Sequence, residues 1–137
     1  ERVRQLLDDG APMDEKNEHG CTALMEASVS GHTEVVRLLL DKGAAVNEKN
    51  KGGGTALMYA SSCGHTEVVR LLLDKGAALD VKSKYGSTAL MYAIRYGRTE
   101  VVLQLLFDKA AAVDVKDKDD ITTVVQALAT FDEDQLG

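Results

Sequence analysis

The sequence predicts an all-α fold, a solenoid of stacked helix-turn-helix units with projecting β-turn or hairpin loops. Three observations predict it: a period of 33 residues, two short apolar helical segments in each period, and glycines that follow those segments. One helix pair of this size cannot bury its own apolar surface, whereas stacked pairs bury a continuous core. The period is therefore the strongest structural signal in the chain.

The period is visible in two consecutive stretches of the chain. Residues 21–53 (CTALMEASVSGHTEVVRLLLDKGAAVNEKNKGG) and residues 54–86 (GTALMYASSCGHTEVVRLLLDKGAALDVKSKYG) are identical at 24 of 33 positions. Residues 87–120 open with STALMYAIRYGRTEVV and carry one additional residue. We expect a single domain, 1–137, that consists of a partial N-terminal repeat (1–20), two regular repeats (21–53 and 54–86), an irregular repeat (87–120) and a partial C-terminal capping repeat (121–137).

Each unit contains start and stop signals for two helices. Thr22 can cap a first helix, and Gly31 can end it, whereas the left-handed conformation that side chains resist is expected at Gly43. Thr33 can cap a second helix, with Glu34 in its first turn, where the helix dipole favours a negative charge. Gly43 provides the second stop. The polar stretch that follows predicts a projecting turn.

The two ends of the array depart from this pattern. The second helix of the third unit, TEVVLQLLFDKAAAVD, has Lys109 or Ala110 where the earlier units have a stop glycine. We therefore predict a lengthened or bulged helix with strain at its end. Glu1–Leu7 would be a second helix without its first, and since the chain begins without Met, we expect a fragment of a longer protein.

The unit resembles the ankyrin repeat in its Thr-x-Leu start, its Gly-His turn, its Glu-Val-Val-x-Leu-Leu-Leu helix and its Gly-Ala end. It departs from the family's Thr-Pro-Leu-His, which is Thr-Ala-Leu-Met in three units. The three methionines, Met25, Met58 and Met91, are interpreted as adaptable apolar filler of the core. The resemblance covers essentially the whole chain and implies the ankyrin solenoid.

Composition narrows the classes of function. The net charge is −6 and the sequence pI is about 5.0, which disfavours a nucleic-acid partner because phosphate binding requires concentrated Lys and Arg. No apolar run approaches the length of a membrane helix, so we expect no membrane partner. Two cysteines do not form the disulfide framework of small secreted domains. We expect an intracellular protein, cytoplasmic or nuclear.

The residues that could perform chemistry do not form a recognisable site. His32 and His65 occupy the same repeat position, with Arg98 in the third unit, which favours a role in the turn between helices. Cys63 beside His65 could in principle form a nucleophile–base pair, but a free thiol is the favoured interpretation. The spacing suits no metal, and the glycines at 52–54 suggest a flexible turn tip rather than a phosphate loop. We expect no cofactor and no enzymatic activity.

In ankyrin-like proteins the resemblance implies a concave recognition surface, built from the turn tips and the first helices. All four tyrosines fall on these positions, and Tyr and Arg dominate the hot spots of protein interfaces. Simple padding of the helix surface by two of the tyrosines is the alternative. The candidate protein-binding residues are Glu18, His19, Glu26, Lys51, Tyr59, Ser62, Lys84, Tyr85, Tyr92, Arg95 and Tyr96, and the predicted ridge is centred on Tyr59, Tyr85, Tyr92, Arg95 and Tyr96.

These features predict a protein–protein interaction module that holds an extended peptide or a protein surface. Two alternatives stay open: an engineered or consensus-like scaffold without an evolved partner, and a regulatory repeat domain of a larger enzyme. We expect a monomer, and association through the open N-terminal end is the alternative, because a half-repeat there would expose apolar side chains.

Overall fold

The computed structural model describes the backbone of residues 13–112 and the side chains of residues 13–108. This part of the chain contains helices and turns and no strand, which confirms the all-α prediction. The predicted helix Glu1–Leu7 and the predicted C-terminal capping repeat lie outside it. The helices are α1 (Ala23–Ser30), α2 (Thr33–Asp41), α3 (Ala56–Cys63), α4 (Thr66–Asp74), α5 (Ala89–Arg95) and α6 (Thr99–Ala112).

The six helices form three pairs that stack in chain order. Each first helix contacts the next first helix, so that α3 lies between α1 and α5, and each second helix contacts the next in the same way. The core follows this stack without interruption. Its fully buried large side chains include Leu24, Val36, Leu57, Leu72 and Leu105.

The first helices begin as the sequence predicts. The hydroxyl of Thr22 accepts a hydrogen bond from the backbone N–H of Met25 at 3.3 Å, and Thr55 and Thr88 make the same bond in the next two units. This bond satisfies one of the N–H groups that a helix start leaves unpaired. The three caps explain why helices of only seven or eight residues begin at the same repeat position.

The second helices begin differently, and the predicted Thr33 cap is wrong. The N-cap of α2 is His32, which makes no side-chain cap bond. Thr33 is already the first helical residue, and its hydroxyl contacts the carbonyl of Gly31 at 3.5 Å. An N-cap side chain reaches forward from extended backbone, which a residue inside the helix cannot do. Only Gly31 and His32 separate α1 from α2, so α2 begins at Thr33 and not, as a Thr33 cap would require, at Glu34.

Both stop glycines end their helices, and Gly43 adopts the predicted left-handed conformation. Gly31 has a φ of 71° after α1, and Gly43 has a φ of 92° after α2. The third unit has no stop glycine after its second helix, and α6 extends over 14 residues, against nine in α2 and α4. The predicted lengthening of this helix is therefore confirmed.

The interpretation of the methionines holds for two of the three. Met25 and Met58 are buried in the core, whereas Met91 is 49% exposed, so its assignment as core filler is wrong. Met25 and Met58 lie on first helices that another first helix follows and covers. Among the described residues no first helix follows α5, and Met91 has no such cover.

In the second and third described units, the residue before the second helix ties the unit to the preceding one. The ring of His65 lies 3.0 Å from the carbonyl of Val29, and the guanidinium of Arg98 donates to the carbonyl of Ser62 at 2.9 Å. Both contacts span 36 residues. The predicted role in the turn therefore extends to a link between neighbouring units, and two chemically different side chains share it.

Two glycine substitutions distinguish the energetic cost of backbone strain from the cost of losing the contact between His65 and the preceding unit. Gly43→Ala should lower the free energy of unfolding by about 1 kcal/mol, because alanine is strained in the left-handed region. Nothing lies within 4 Å of the added Cβ at this position. Gly31→Ala should cost about 2 kcal/mol, because the hydrogen bond of the His65 ring is lost as well. The added Cβ at Gly31 would come within 2.6 Å of that ring.

Urea denaturation followed by circular dichroism measures both costs. In a His65→Ala background the two glycine variants should cost the same, since the ring that the added Cβ of Gly31→Ala would displace is gone. Equal costs in the wild-type background would contradict the proposed link.

Candidate functional site

The turn tip between the first and second regular repeats is closed by the side chain of Asn50. Its Oδ1 accepts hydrogen bonds from the backbone N–H groups of Gly52 at 3.0 Å and Gly54 at 2.8 Å. The backbone N–H of Asn50 in turn donates to the carbonyl of Gly54 at 3.0 Å. Asparagine favours turns because its side chain can bond the backbone two residues ahead. The tip is thus a small closed loop rather than an open excursion.

The equivalent residues of the neighbouring units close their tips in the same way. Asn17 accepts from the N–H groups of His19 at 2.9 Å and Cys21 at 3.0 Å. The hydroxyl of Ser83 accepts from the N–H of Tyr85 at 3.3 Å. The three tips therefore share a backbone bond and one side-chain bond, and the two asparagine tips have a second side-chain bond.

Each tip is also braced against the first helix that follows it. The amide of Asn50 donates to the hydroxyl of Tyr59, and the hydroxyls of Ser83 and Tyr92 lie 2.8 Å apart. In the first unit the amide of Asn17 donates to Glu26 at 3.2 Å. Tyr59 and Tyr92 are half-buried by this arrangement. They brace the tips with their hydroxyls, so padding of the surface is not their whole role.

Neighbouring tips bond directly to one another. The backbone N–H of Lys51 donates to the carbonyl of His19 at 3.1 Å, and the N–H of Lys84 donates to the carbonyl of Gly52 at 2.9 Å. Gly53, with a φ of 75°, allows the close approach, because a Cβ there would lie 2.9 Å from the nitrogen of Lys84. The tips consequently form one continuous edge.

The glycines at 52–54 are packed, and the expected flexible tip is wrong for Gly54. This residue is buried, and a Cβ on it would lie 2.9 Å from the hydroxyl of Tyr59. The other two units have Cys21 and Ser87 at this position. Gly54 is therefore packed against the Tyr59 ring, whereas the third unit has Ser87 at this position and Tyr92 still makes the equivalent brace.

A groove of ≈ 450 Å³ lies between the tips and the first helices. Eight of the eleven predicted binding residues line it, from all three described units. The predicted residues in the groove are His19, Lys51, Tyr59, Ser62, Lys84, Tyr85, Tyr92 and Tyr96.

The other three predicted residues lie outside the lining. Glu18 is exposed next to His19, with 3.7 Å between carboxylate and imidazole. Glu26 is an exposed residue of α1, and Arg95 lies on the ring of Tyr92 with its guanidinium carbon 5.7 Å from the centroid. The structure thus brings the tyrosines together, with Arg95 against one of their rings and the two glutamates at the first tip.

The sequence interpretation missed Asn50, Ser83 and Met58, which also line the groove. Asn50 and Ser83 could have been found, because Asn17, Asn50 and Ser83 recur at the repeat period and are all turn-forming residues. Met58 is a core residue whose edge reaches the groove. No local pattern distinguishes it from Met25.

Two of the side chains that could perform chemistry, Cys21 and His65, make contacts within the structure. Cys21 and Cys63 are free thiols, and the sulfur of Cys21 lies 3.4 Å from the amide of Asn50. The ring of His65 contacts the carbonyl of Val29, in the preceding unit. Within residues 13–108 no three His, Cys, Asp or Glu side chains form a group that could hold a metal ion. In the described part of the chain, every helix is too short or too polar to cross a bilayer.

Helix pairs stacked in register, with bonded tips along one edge and a groove beneath them, define a helical repeat protein. A scan against models of protein families matches the model described as ankyrin repeats, in three copies, over residues 1–50 and 42–119. The chain belongs to the ankyrin repeat family. Ankyrin repeats are generally protein-interaction modules. No curated protein matches the chain.

Substitutions at one tip should show how strongly it is held. Asn50→Ala should lower the free energy of unfolding by about 2 kcal/mol, because it leaves the buried N–H of Gly54 without its partner. Tyr59→Phe should cost about 1 kcal/mol or less, since it removes one hydroxyl and keeps the packed ring.

Urea denaturation measures both variants, and Asn50→Asp is the matched control. It keeps the oxygen that accepts from Gly52 and Gly54, so its cost should fall below that of Asn50→Ala. A cost for Asn50→Asp equal to that of Asn50→Ala would contradict the role assigned to Oδ1.

Proposed function

We propose that this chain binds a protein partner through an extended peptide segment that lies in the groove. The observation that carries the proposal is the groove itself, in which eight residues expected at a recognition surface line one continuous depression. Membership of a family of interaction modules supports the same function.

The tyrosines divide into two groups that would serve this function differently. Tyr59 and Tyr92 are held by hydrogen bonds to the tips and would form a rigid wall. Tyr85 is 75% exposed and Tyr96 is 55% exposed, so their rings have large areas that a partner can cover. Tyr contributes large contact area at low entropic cost, which is why it is frequent in binding surfaces.

The proposal includes the division into repeats given above, a monomeric state and an intracellular location. The free thiols of Cys21 and Cys63 are consistent with a reducing compartment. Against an engineered scaffold stands the irregular third unit, since designed repeats use idealised helix ends and α6 departs from its equivalents.

Peptide selection from a random display library tests the proposal. Peptides selected on the wild-type chain should lose most of their affinity for the double variant Tyr85→Ala with Tyr96→Ala, because the exposed aromatic area is removed. Both side chains are at least half exposed, so the variant should keep its helical circular dichroism signal. Fluorescence anisotropy with labelled selected peptides gives the affinities.

Phe107→Ala is the matched control for the loss of an aromatic ring. Phe107 is 73% exposed and does not line the groove, so its removal should leave the affinity unchanged. Selected peptides that bind the double variant as tightly as the wild type would place the binding surface elsewhere and contradict the proposal.

A further inference from the structure

Charge is distributed unevenly over this acidic chain. The net charge is −6, yet the groove lining contains Lys51, Lys84 and His19 and no Asp or Glu. A depression lined by one sign of charge concentrates ligands of the opposite sign. The groove therefore differs in sign from the protein that carries it.

The lysines of the groove also have no acidic partner among the described residues, in contrast to three cations elsewhere in the structure. Lys16, Arg37 and Arg70 each pair with a nearby glutamate. Within residues 13–108, neither Lys51 nor Lys84 makes a salt bridge. Their ammonium groups are exposed beside the groove, so a carboxylate could approach them without displacing an existing acidic partner.

Two cations lie directly against the aromatic rings of the same face. The ammonium of Lys84 is 5.1 Å from the centroid of the Tyr85 ring, and the guanidinium of Arg95 is 5.7 Å from that of Tyr92. Cation–π contacts of this kind place a positive charge next to apolar ring surface. A ligand that covers the ring therefore meets the charge at the same time.

We infer that the occupant of the groove is an acidic peptide segment, whose carboxylates meet Lys51 and Lys84 and whose apolar side chains cover the tyrosines. The inference rests on the proposed function and adds the chemistry of the partner. Neighbouring helices pack 8–10 Å apart, so three first helices span about 20 Å, or about six residues of extended peptide.

The carboxylates at the first tip determine where along the groove the acidic residues of the bound segment lie. Glu18 and Glu26 are exposed there, and Glu26 already accepts a hydrogen bond from Asn17. The acidic part of the segment therefore lies over the second and third tips, away from these carboxylates. A single strand of nucleic acid carries a charge about every 3.4 Å along its whole length and cannot avoid the glutamates in this way.

Charge reversal at the two lysines tests the inference. Peptides selected on the wild-type chain should be enriched in Asp and Glu relative to the input library. Their affinity for the double variant Lys51→Glu with Lys84→Glu should fall about tenfold or more, because two attractive contacts become repulsive. Binding to the wild type should also weaken with added salt, since these contacts are exposed.

The matched control is Lys42→Glu with Lys75→Glu, which changes the net charge by the same amount. Both lysines are exposed at the ends of second helices and do not line the groove. Affinity should stay within about twofold of wild type, because charges beyond the Debye length of about 8 Å are largely screened at physiological salt. An equal loss in both double variants would trace the effect to the net charge and overturn the inference.

The remaining outcomes separate this inference from the proposed function. Neutral or basic peptides that require Tyr85 and Tyr96 would overturn the acidic partner and leave the binding groove standing. Peptides that require neither tyrosine would overturn both. Single-stranded oligothymidylate that binds the wild type more tightly than the selected peptides would overturn the inference in favour of a nucleic-acid ligand.

Discussion

The apolar contact between each helix pair and the next is the constraint on which the rest of this structure depends. Helices of seven to nine residues are too short to be stable alone, and their side chains become buried only when another pair covers them. Met25 and Met91 show the consequence, because the same residue at the same repeat position is buried in one unit and exposed in another. Burial in this fold is thus a property of a unit's neighbours as much as of its own sequence.

The stack also determines what the turn tips can do. Because the pairs lie in register, the tips meet, and the backbone of one donates to the backbone of the next. Side chains at one repeat position then have the same role. Asn17, Asn50 and Ser83 each close a tip and brace it against the helix that follows. A surface made of short loops would ordinarily be mobile. Here the tips are held by hydrogen bonds to one another and to the first helices, and the exposed Tyr85 and Tyr96 extend from this hydrogen-bonded structure.

The sequence alone predicted the fold and much of the groove, for a reason that follows from repetition. The period identified the helices, the Thr22 cap and the stop at Gly31, because each signal recurs and is read several times over. It also placed the variable positions on one face. What it could not supply were the contacts between units. The packing of Gly54 under Tyr59 and the reach of His65 to Val29 join residues whose relation depends on three-dimensional distances. The Thr33 cap failed for a local reason, since one residue of difference in the helix start decides whether a hydroxyl lies ahead of the helix or within it.

Framework positions and variable surface positions are therefore separable along the repeat. Position 65 and its equivalent at 98 accept either imidazole or guanidinium, because the framework needs only a side chain that reaches the carbonyl of the preceding unit. The position held by Glu26, Tyr59 and Tyr92 is different, since a carboxylate and a phenol there both bond the tip while they present different surfaces. Exchange of Glu for Tyr there keeps the brace and changes the face from acidic to aromatic. The array can in this way vary the surface that it presents from one unit to the next without disturbing the stack that supports it.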